Sequence, residues 1–248
     1  MTGPSLHSMD AVVFDMDGVV TETATVHAAA WKKLFDAYLR ERAEQTGEEF
    51  VPFDDVLDYE RYVDGKNRYD GVRSFLESRG LQLPEGTPDD PPGNDTVSAM
   101  GNGKDAYFLV HVREEGVRPY ESTVRLIRDL RSAGKGIGLV SASRNAEEVL
   151  SAAGVADLFD TRVDGVVSAE LGLRGKPDPA TFLEAARRLG VEPGRAAVVE
   201  DALSGVAAGA AGKFGLVVGV ARAGQNDALR QAGADVVVSD LGELPESR

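Results

Sequence analysis

The stretch Ala11–Gly18, AVVFDMDG, decides the fold of this chain. It opens with a short apolar run, which is typical of a strand that is buried on both faces in a parallel sheet. Asp15, Asp17 and Gly18 follow, so the buried run ends in a polar turn. Ligands of open α/β sheets bind at the carboxyl ends of the strands, which makes both aspartates candidates for a functional site.

Apolar runs of the same kind recur along the chain and alternate with helical patterns. They are Ile137–Val140, Ala196–Val199, Leu216–Val220 and Asp235–Val238, with a weaker run near Val163. This alternation predicts an α/β fold, in which a Rossmann-like parallel sheet carries helices on both faces.

The region from about Thr25 to Gly116 differs, because its apolar residues recur at helical spacing. We therefore predict an α/β core over residues 1–22 and 118–248, with a helical cap domain over residues 23–117 inserted after the first strand. The stretch Leu83–Gly103 is rich in Pro, Gly and Asp and predicts a long surface loop inside the insert. The predicted apolar stripes of the insert are Ala28, Ala29, Trp31, Leu34, Phe35, Tyr38 and Leu39; Val72, Phe75 and Leu76; and Tyr107, Phe108, Val110 and Val112.

The composition limits the classes of function. The chain has 248 residues, of which 42% are hydrophobic, and a net charge of −14 that opposes binding to nucleic acid or to an anionic membrane. It contains no cysteine, which excludes disulfides, thiolate catalysis and zinc–thiolate sites. No apolar run is long enough to span a membrane, so we expect a cytoplasmic protein, and the charge favours a monomer. A phosphorylated ligand would need a local positive field.

Asp15 and Asp17 suit phosphoryl transfer. Asp15 would be the nucleophile toward phosphorus, and Asp17 a general acid and base toward the entering or leaving oxygen. Gly18 makes the necessary turn inexpensive, because glycine adopts conformations that other residues avoid. An ordinary Asp-Gly turn after a buried strand explains the same residues equally well.

Three later segments also place polar groups after apolar runs or before helices. Ser141–Asn145 (SASRN) is typical either of a phosphate cradle or of a simple helix cap. Lys176 lies in the segment GKPDP before a helix, where it could neutralise a phosphoryl group or merely be solvated. Glu200 and Asp201 are adjacent acids that repel each other unless a cation such as Mg²⁺ lies between them, although they could also form an acidic turn.

Taken singly, each of these features has an ordinary structural explanation. Together, four predicted strand ends supply a nucleophile, a proton shuttle, a hydrogen-bond donor to phosphate, a cation and a metal site. Phosphoryl transfer needs this combination of positioning and charge neutralisation. Mg²⁺ and Lys176 would also provide the local positive field that an acidic protein needs in order to bind a phosphate.

With these four motifs in this order, the chain resembles the haloacid dehalogenase superfamily of phosphohydrolases and phosphomutases. The resemblance implies that Asp15 forms an aspartyl phosphate and that Asp17 is the acid and base. It also implies that Ser141 and Lys176 bind the phosphoryl group. The Mg²⁺ ligands that it implies are Asp15, the main-chain carbonyl of Asp17, Glu200 and Asp201.

The segments Asp15–Trp31 and Gly65–Arg68 are similar to the β-phosphoglucomutase family within that superfamily. The resemblance implies that His27 engages the acid and base aspartate and couples cap closure to substrate binding. It implies that Arg68 grips the phosphate that is not transferred, that Thr23 holds the acid and base in its open-state position, and that Lys104 lies near the sugar. The other expected substrate-binding residues are Trp31, Gly65, Ser143, Asn145 and Arg144, which stands where a lysine is common.

For this family the expected reaction interconverts β-glucose 1-phosphate and glucose 6-phosphate through a bisphosphate, so the expected partner is a small phosphorylated sugar. A sugar-phosphate phosphatase would use the same core with water as the second acceptor. A third hypothesis is a non-catalytic accessory module that has kept the fold. The complete set of motif residues argues against that third hypothesis, because buried carboxylates are costly to retain.

Overall fold

The computed structural model describes residues 5–244. The chain divides into two compact units. An α/β unit contains the described residues up to Glu22 and from Val117 onward, and a helical unit comprises Thr23–Gly116.

A six-stranded sheet in the order β3-β2-β1-β4-β5-β6 forms the centre of the α/β unit. All neighbouring strands are parallel, with Ala11 of β1 opposite Gly136 of β2 on one side and Ala196 of β4 on the other. The predicted α/β class and Rossmann-like parallel sheet are therefore confirmed. The strands are β1 (Ala11–Asp15), β2 (Gly136–Val140), β3 (Thr161–Val163), β4 (Ala196–Glu200), β5 (Leu216–Val220) and β6 (Val236–Val238).

Helices follow the strands of this unit, as parallel pairing requires a crossover connection between strands. Phe182, Ala185 and Ala186 are fully buried and pack with Val13 and Val198 in the core. Across residues 5–244, none of the helices has the length and apolar composition that a bilayer span requires. The helices of the α/β unit are α4 (Glu121–Ser132), α5 (Ala146–Ala152), α6 (Gly165–Leu171), α7 (Ala180–Leu189), α8 (Leu203–Ala211) and α9 (Asn226–Ala232).

The central position of β1 determines where the polar residues gather. Since β1 lies between β2 and β4, and all three run in the same direction, their carboxyl ends share one edge of the sheet. Asp15 is the last residue of β1 and Glu200 the last residue of β4, while Ser141 follows β2 directly. The fold thus brings three of the sequence motifs to one place.

The helical unit has its own aromatic core. Phe35 stacks against Trp31 with ring centroids 5.1 Å apart and packs on Phe75 at 4.0 Å and on Phe53 at 5.3 Å. These rings are buried, so they supply the apolar area that stabilises a small helical unit. Its elements are α1 (Ala24–Thr46), a short π-helix (Tyr59–Val63), α2 (Arg68–Ser78) and α3 (Val97–Glu115).

The prediction of a surface loop over Leu83–Gly103 is wrong for its last part. Helix α3 begins at Val97, where the side chain of Thr96 accepts a hydrogen bond from Ala99 N. Gly101 and Gly103 lie buried in this helix, although glycine ordinarily disfavours helices. A Cβ at Gly101 would lie 2.8 Å from the ring of Tyr69, so the close approach of α2 requires a glycine there.

Two predicted apolar stripes also need correction. In α1 the buried alanine is Ala30, whereas Ala29 is exposed. In α3, Phe108 and Val112 are buried, whereas Tyr107 is 37% and Val110 is 52% exposed. The apolar face of α3 therefore continues through the small residues near its start and not through Val110.

Candidate functional site

Three buried carboxylates meet at the carboxyl edge of the sheet. Asp15, Glu200 and Asp201 each place one carboxylate oxygen within 4.8 Å of those of the other two. Asp15 is 6%, Glu200 0% and Asp201 7% exposed, so little water shields them from one another. Their proximity follows from the parallel pairing of β1 with β4, because each strand ends at the same level.

Lys176 is the cation of this cluster. Its Nζ contacts Oδ1 of Asp15 and Oε1 of Glu200, and the lysine is itself buried. Burial alone would lower the pKa of Lys176, but the charges of Asp15 and Glu200 outweigh that effect and raise it. The lysine therefore stays protonated and supplies a fixed positive charge beside Asp15.

The cluster carries more negative charge than Lys176 can balance. Burial raises the pKa of Asp15, the charges of Glu200 and Asp17 raise it further, and Lys176 opposes the rise. Three buried carboxylates beside one ammonium group fit a divalent cation, and Mg²⁺ prefers oxygen ligands. Asp15, Glu200 and Asp201 could hold it with their carboxylates, whereas the role expected for the main-chain carbonyl of Asp17 stays a prediction.

Two glycines make room for the acids. A Cβ at Gly205 would lie 1.6 Å from Oε1 of Glu200, and a Cβ at Gly18 would lie 1.8 Å from Oδ2 of Asp201. Gly18 also has a φ of +80°, a conformation that L side chains rarely adopt. Any side chain at either position would displace a carboxylate of the cluster.

The turn after β1 is held by its own backbone. The Met16 carbonyl accepts hydrogen bonds from Val20 N at 2.8 Å and from Thr21 N at 2.9 Å. Gly18 N donates to the Thr21 carbonyl at 2.8 Å, and an isolated bridge pairs Asp17 with Thr21. Asp17 therefore lies in a closed, hydrogen-bonded turn directly after the candidate nucleophile.

The loop after β2 is also preformed. Ser141 is buried, and its Oγ accepts a hydrogen bond from Ser143 N at 3.1 Å. The Oγ of Ser143 accepts from Asn145 N at 3.1 Å in turn. Arg144 is exposed, and Ser143 and Asn145 are half-buried. The loop thus has the defined shape that a phosphate cradle needs, although two of its N–H groups are engaged within the loop.

His27 and Lys104 form a pair inside the helical unit. The Nζ of Lys104 contacts Nδ1 of His27, and the imidazole stacks on the Phe108 ring with centroids 4.0 Å apart. Lys104 is only 5% exposed and lies 5.2 Å from the ring centroid of Trp31, which is buried. Three residues that the sequence analysis assigned to the substrate site are thus neighbours in the structure.

The other predicted substrate-binding residues of the helical unit are Thr23, Gly65 and Arg68. Thr23 is the buried N-cap residue of α1, and its carbonyl accepts from His27 N at 2.9 Å. Gly65 has a φ of +68° in the turn before α2, and Arg68 is the first residue of that helix. Arg68 forms an ion pair with Asp105 at 2.7 Å.

Several residues that contact the predicted motifs were not identified from the sequence. Arg222 follows β5, donates to the Gly18 carbonyl at 3.0 Å, and packs on the Tyr120 ring at 3.7 Å from its centroid. Gly205 and Asp105 were also not identified. Arg222 could have been found from its position at a strand end, whereas the other two depend on contacts that sequence spacing does not reveal.

Comparisons with known proteins agree on one family for this chain. The chain matches the haloacid dehalogenase-like hydrolases over residues 9–213. It is 52% identical to a β-phosphoglucomutase of Mycobacterium bovis over 237 residues, which are 94% of this chain and 90% of that protein. A β-phosphoglucomutase of Bacillus subtilis is 33% identical, over 95% of this chain and 92% of that protein.

A solved structure shares the same architecture. The β-phosphoglucomutase of Clostridium difficile has a TM-score of 0.73 and 27% identity, covering 96% of this chain and 93% of that chain. The family match, the relatives that align over at least nine-tenths of both chains and the parallel sheet with its acidic strand ends agree. The chain is therefore an enzyme of the haloacid dehalogenase-like hydrolase family, similar to the β-phosphoglucomutases within it.

Proposed function

We propose that this enzyme interconverts β-glucose 1-phosphate and glucose 6-phosphate through a bisphosphate, by phosphoryl transfer on Asp15. The observation that carries the proposal is the buried cluster in which Lys176 contacts both Asp15 and Glu200 beside Asp201. The similarity to β-phosphoglucomutases, which covers at least 90% of both chains, supports the choice of sugar phosphate.

In the proposed reaction, phosphorylated Asp15 meets a sugar hydroxyl. The hydroxyl oxygen bonds to phosphorus, the bond between phosphorus and the Asp15 carboxylate breaks, and Asp17 accepts the hydroxyl proton. The resulting bisphosphate then presents its other phosphate. The Asp15 carboxylate attacks that phosphorus, the ester bond breaks, and Asp17 returns its proton to the departing sugar oxygen.

The other core residues assist by position and charge. Lys176 neutralises charge at Asp15 and at the transferring group, and Ser141 donates to the phosphoryl oxygens. Asp15, Glu200 and Asp201, with the main-chain carbonyl of Asp17, would hold Mg²⁺. When bound, this ion supplies charge neutralisation to the phosphoryl group.

We propose that the helical unit is a cap domain that supplies substrate-binding residues. Arg68 would bind the phosphate that does not react, because a guanidinium matches the oxygens of a phosphate. His27 and Lys104 would contact the acid and base aspartate and the sugar, and Trp31 and Thr23 would hold them in place. Gly65, Ser143, Arg144 and Asn145 complete the proposed substrate site.

A cytoplasmic location and a monomeric state remain predictions from the sequence.

The test is ³¹P NMR of the purified protein with Mg²⁺, β-glucose 1-phosphate and a trace of glucose 1,6-bisphosphate. We expect a glucose 6-phosphate signal with little inorganic phosphate. Release of inorganic phosphate would instead identify a sugar-phosphate phosphatase, which the same strand-end cluster could also support. The Asp15→Asn variant is the control, because it should lack either activity.

A further inference from the structure

The ion pair between Arg68 and Asp105 has a consequence for phosphate binding. Nη1 of Arg68 and Oδ2 of Asp105 are 2.7 Å apart, and the two side chains are only 13% and 17% exposed. Arg68 begins α2 and Asp105 lies in α3, so the pair joins two helices of the same unit. A pair at this distance and depth is weakly screened by solvent.

The packing of α2 on α3 fixes this pair. A Cβ at Gly101 would lie 3.1 Å from Cγ of Arg68, so this glycine permits close approach of the arginine. One residue further on, Oδ1 of Asn102 accepts a hydrogen bond from the Tyr69 hydroxyl at 3.0 Å. Asp105 follows Asn102 by three residues, which places the two on the same face of α3. The carboxylate is therefore built into the surroundings of Arg68.

We propose that Asp105 competes with the substrate phosphate for Arg68 and thereby limits the affinity for the sugar bisphosphate. This inference rests on the proposed role of Arg68 as the arginine that binds the non-reacting phosphate. A phosphate that approaches the guanidinium must share or displace the carboxylate and is repelled by its charge. Asp105 thus acts as an anion already in place on the phosphate-binding arginine.

Such competition suits a reaction that passes through a bisphosphate. The intermediate must leave one orientation and bind in the other, so a very tight grip on either phosphate would slow turnover. Binding that is equally strong in the ground state and in the transition state lowers KM without raising kcat. Asp105 removes part of that uniform binding while it keeps the guanidinium ordered.

A role of Asp105 that is limited to orienting Arg68 predicts the opposite change in phosphate affinity. If Asp105 only orients Arg68, its loss would disorder the guanidinium and weaken phosphate binding. If Asp105 competes, its loss would strengthen binding even though the folded protein loses an ion pair. Binding and stability then change in opposite directions, which a purely structural role cannot produce.

The experiment is a calorimetric titration with glucose 1,6-bisphosphate and Mg²⁺, in an Asp15→Asn background that prevents turnover. Asp105→Asn, Arg68→Ala and the double variant are compared with the background protein. We expect Asp105→Asn to bind about fivefold more tightly, which corresponds to about 1 kcal/mol. In the Arg68→Ala background the same change should alter the dissociation constant less than about twofold.

Asp70→Asn is the matched control for a general change of charge. Asp70 also lies in α2, but it pairs with Arg73 at 2.6 Å. We expect this variant to bind the bisphosphate as the background protein does. Equal tightening by Asp70→Asn and Asp105→Asn would overturn the proposal, since the effect would then be a long-range one.

The remaining outcomes distinguish the proposed competition by Asp105 from the proposed phosphate-binding role of Arg68. If Arg68→Ala weakens binding but Asp105→Asn does not strengthen it, the competition is wrong and the role of Arg68 stands. If Arg68→Ala binds as the background does, both the phosphate role of Arg68 and the competition are wrong. A background protein that does not bind the bisphosphate would overturn the proposed substrate and the competition together.

Discussion

The Nε atom of Arg222 donates a hydrogen bond to the main-chain carbonyl oxygen of Gly18, at 3.0 Å. The same guanidinium packs on the Tyr120 ring and donates from Nη1 to Asp240 at 2.9 Å. Gly18 lies in the turn that carries Asp17, whereas Arg222 follows β5. The loop after β5 thus fixes the turn after the candidate nucleophile.

We expect Arg222→Ala to loosen this turn and to weaken Mg²⁺ binding about three- to tenfold. The reason is that a hydrogen bond of this kind contributes about 1 kcal/mol, and the turn is expected to supply a metal ligand. The measurement is the dissociation constant of Mg²⁺ from a calorimetric titration, together with kcat.

Asp240→Asn provides the comparison for Arg222. It weakens the ion pair with Arg222 but leaves the Nε donor for Gly18, so it should lower stability and spare Mg²⁺ affinity. If the two variants lost Mg²⁺ affinity equally, the contact with Gly18 would have no particular role.

Gly205→Ala should disable the acidic cluster. The added Cβ would lie 1.6 Å from Oε1 of Glu200, so the carboxylate must move away from Lys176. Overpacking of this kind costs about 1–3 kcal/mol, and we expect the variant to lose most of its stabilisation by Mg²⁺. The measurement is thermal unfolding with and without Mg²⁺.

Gly194→Ala is the matched control for Gly205. A Cβ at Gly194 meets no atom within 4 Å, so this variant should retain both its melting temperature and its response to Mg²⁺. A Gly205→Ala protein that behaved like Gly194→Ala would show that Glu200 has room that the structure does not indicate.

The sheet could be predicted from the sequence because its strands are fully buried. A parallel strand that is covered on both faces has an uninterrupted run of apolar residues. The apolar run Ala196–Val199, for example, predicts a strand, and β4 spans Ala196–Glu200. The candidate site follows from the same rule, since strand ends in such a sheet converge. Asp15 and Glu200 could therefore be proposed as neighbours before any distance was known. Lys176 was expected at a strand end as well, but it lies in the loop between α6 and α7, so the rule does not place it.

The helical unit was less predictable because its helices depend on packing between distant residues. Gly101 looks like a loop residue, and its helical role is evident only once Tyr69 is seen beside it. The pairs Arg68–Asp105 and Arg222–Gly18 join residues far apart in sequence. The periodicity of a sequence does not reveal which residue an arginine side chain will pair with.

The contact between Lys104 and His27 predicts one tautomer of the imidazole. If Lys104 carries its proton, its ammonium group can only donate, so we expect Nδ1 of His27 to accept and the ring proton to reside on Nε2. We expect ¹⁵N NMR at neutral pH to show a protonated Nε2 and an unprotonated Nδ1 for this residue. The sequence contains three histidines, so His27→Gln identifies the relevant signals.

Two variants test the origin of this tautomer. Lys104→Met removes the donor and should allow a mixture of tautomers. Lys33→Met removes a lysine that lies 4.1 Å from the centroid of the Tyr107 ring and should leave the His27 signals unchanged. A proton found on Nδ1 of His27 in the unaltered protein would contradict the assignment.

Asp201→Asn should affect stability with opposite sign in the absence and presence of Mg²⁺. Without the metal, the change removes one of three buried like charges that lie within 4.8 Å of one another, so the melting temperature should rise. With the metal, the variant loses a ligand and should gain little stability. A ligand at about one hundred times its dissociation constant stabilises a protein by about 2.7 kcal/mol, so the unaltered protein should become the more stable of the two. Thermal unfolding of both proteins over a series of Mg²⁺ concentrations should show their melting temperatures crossing. Parallel curves would mean that Asp201 does not bind the metal, and the assignment of this residue as a magnesium ligand would then be wrong. Curves that coincide would mean in addition that Asp201 does not repel its neighbours.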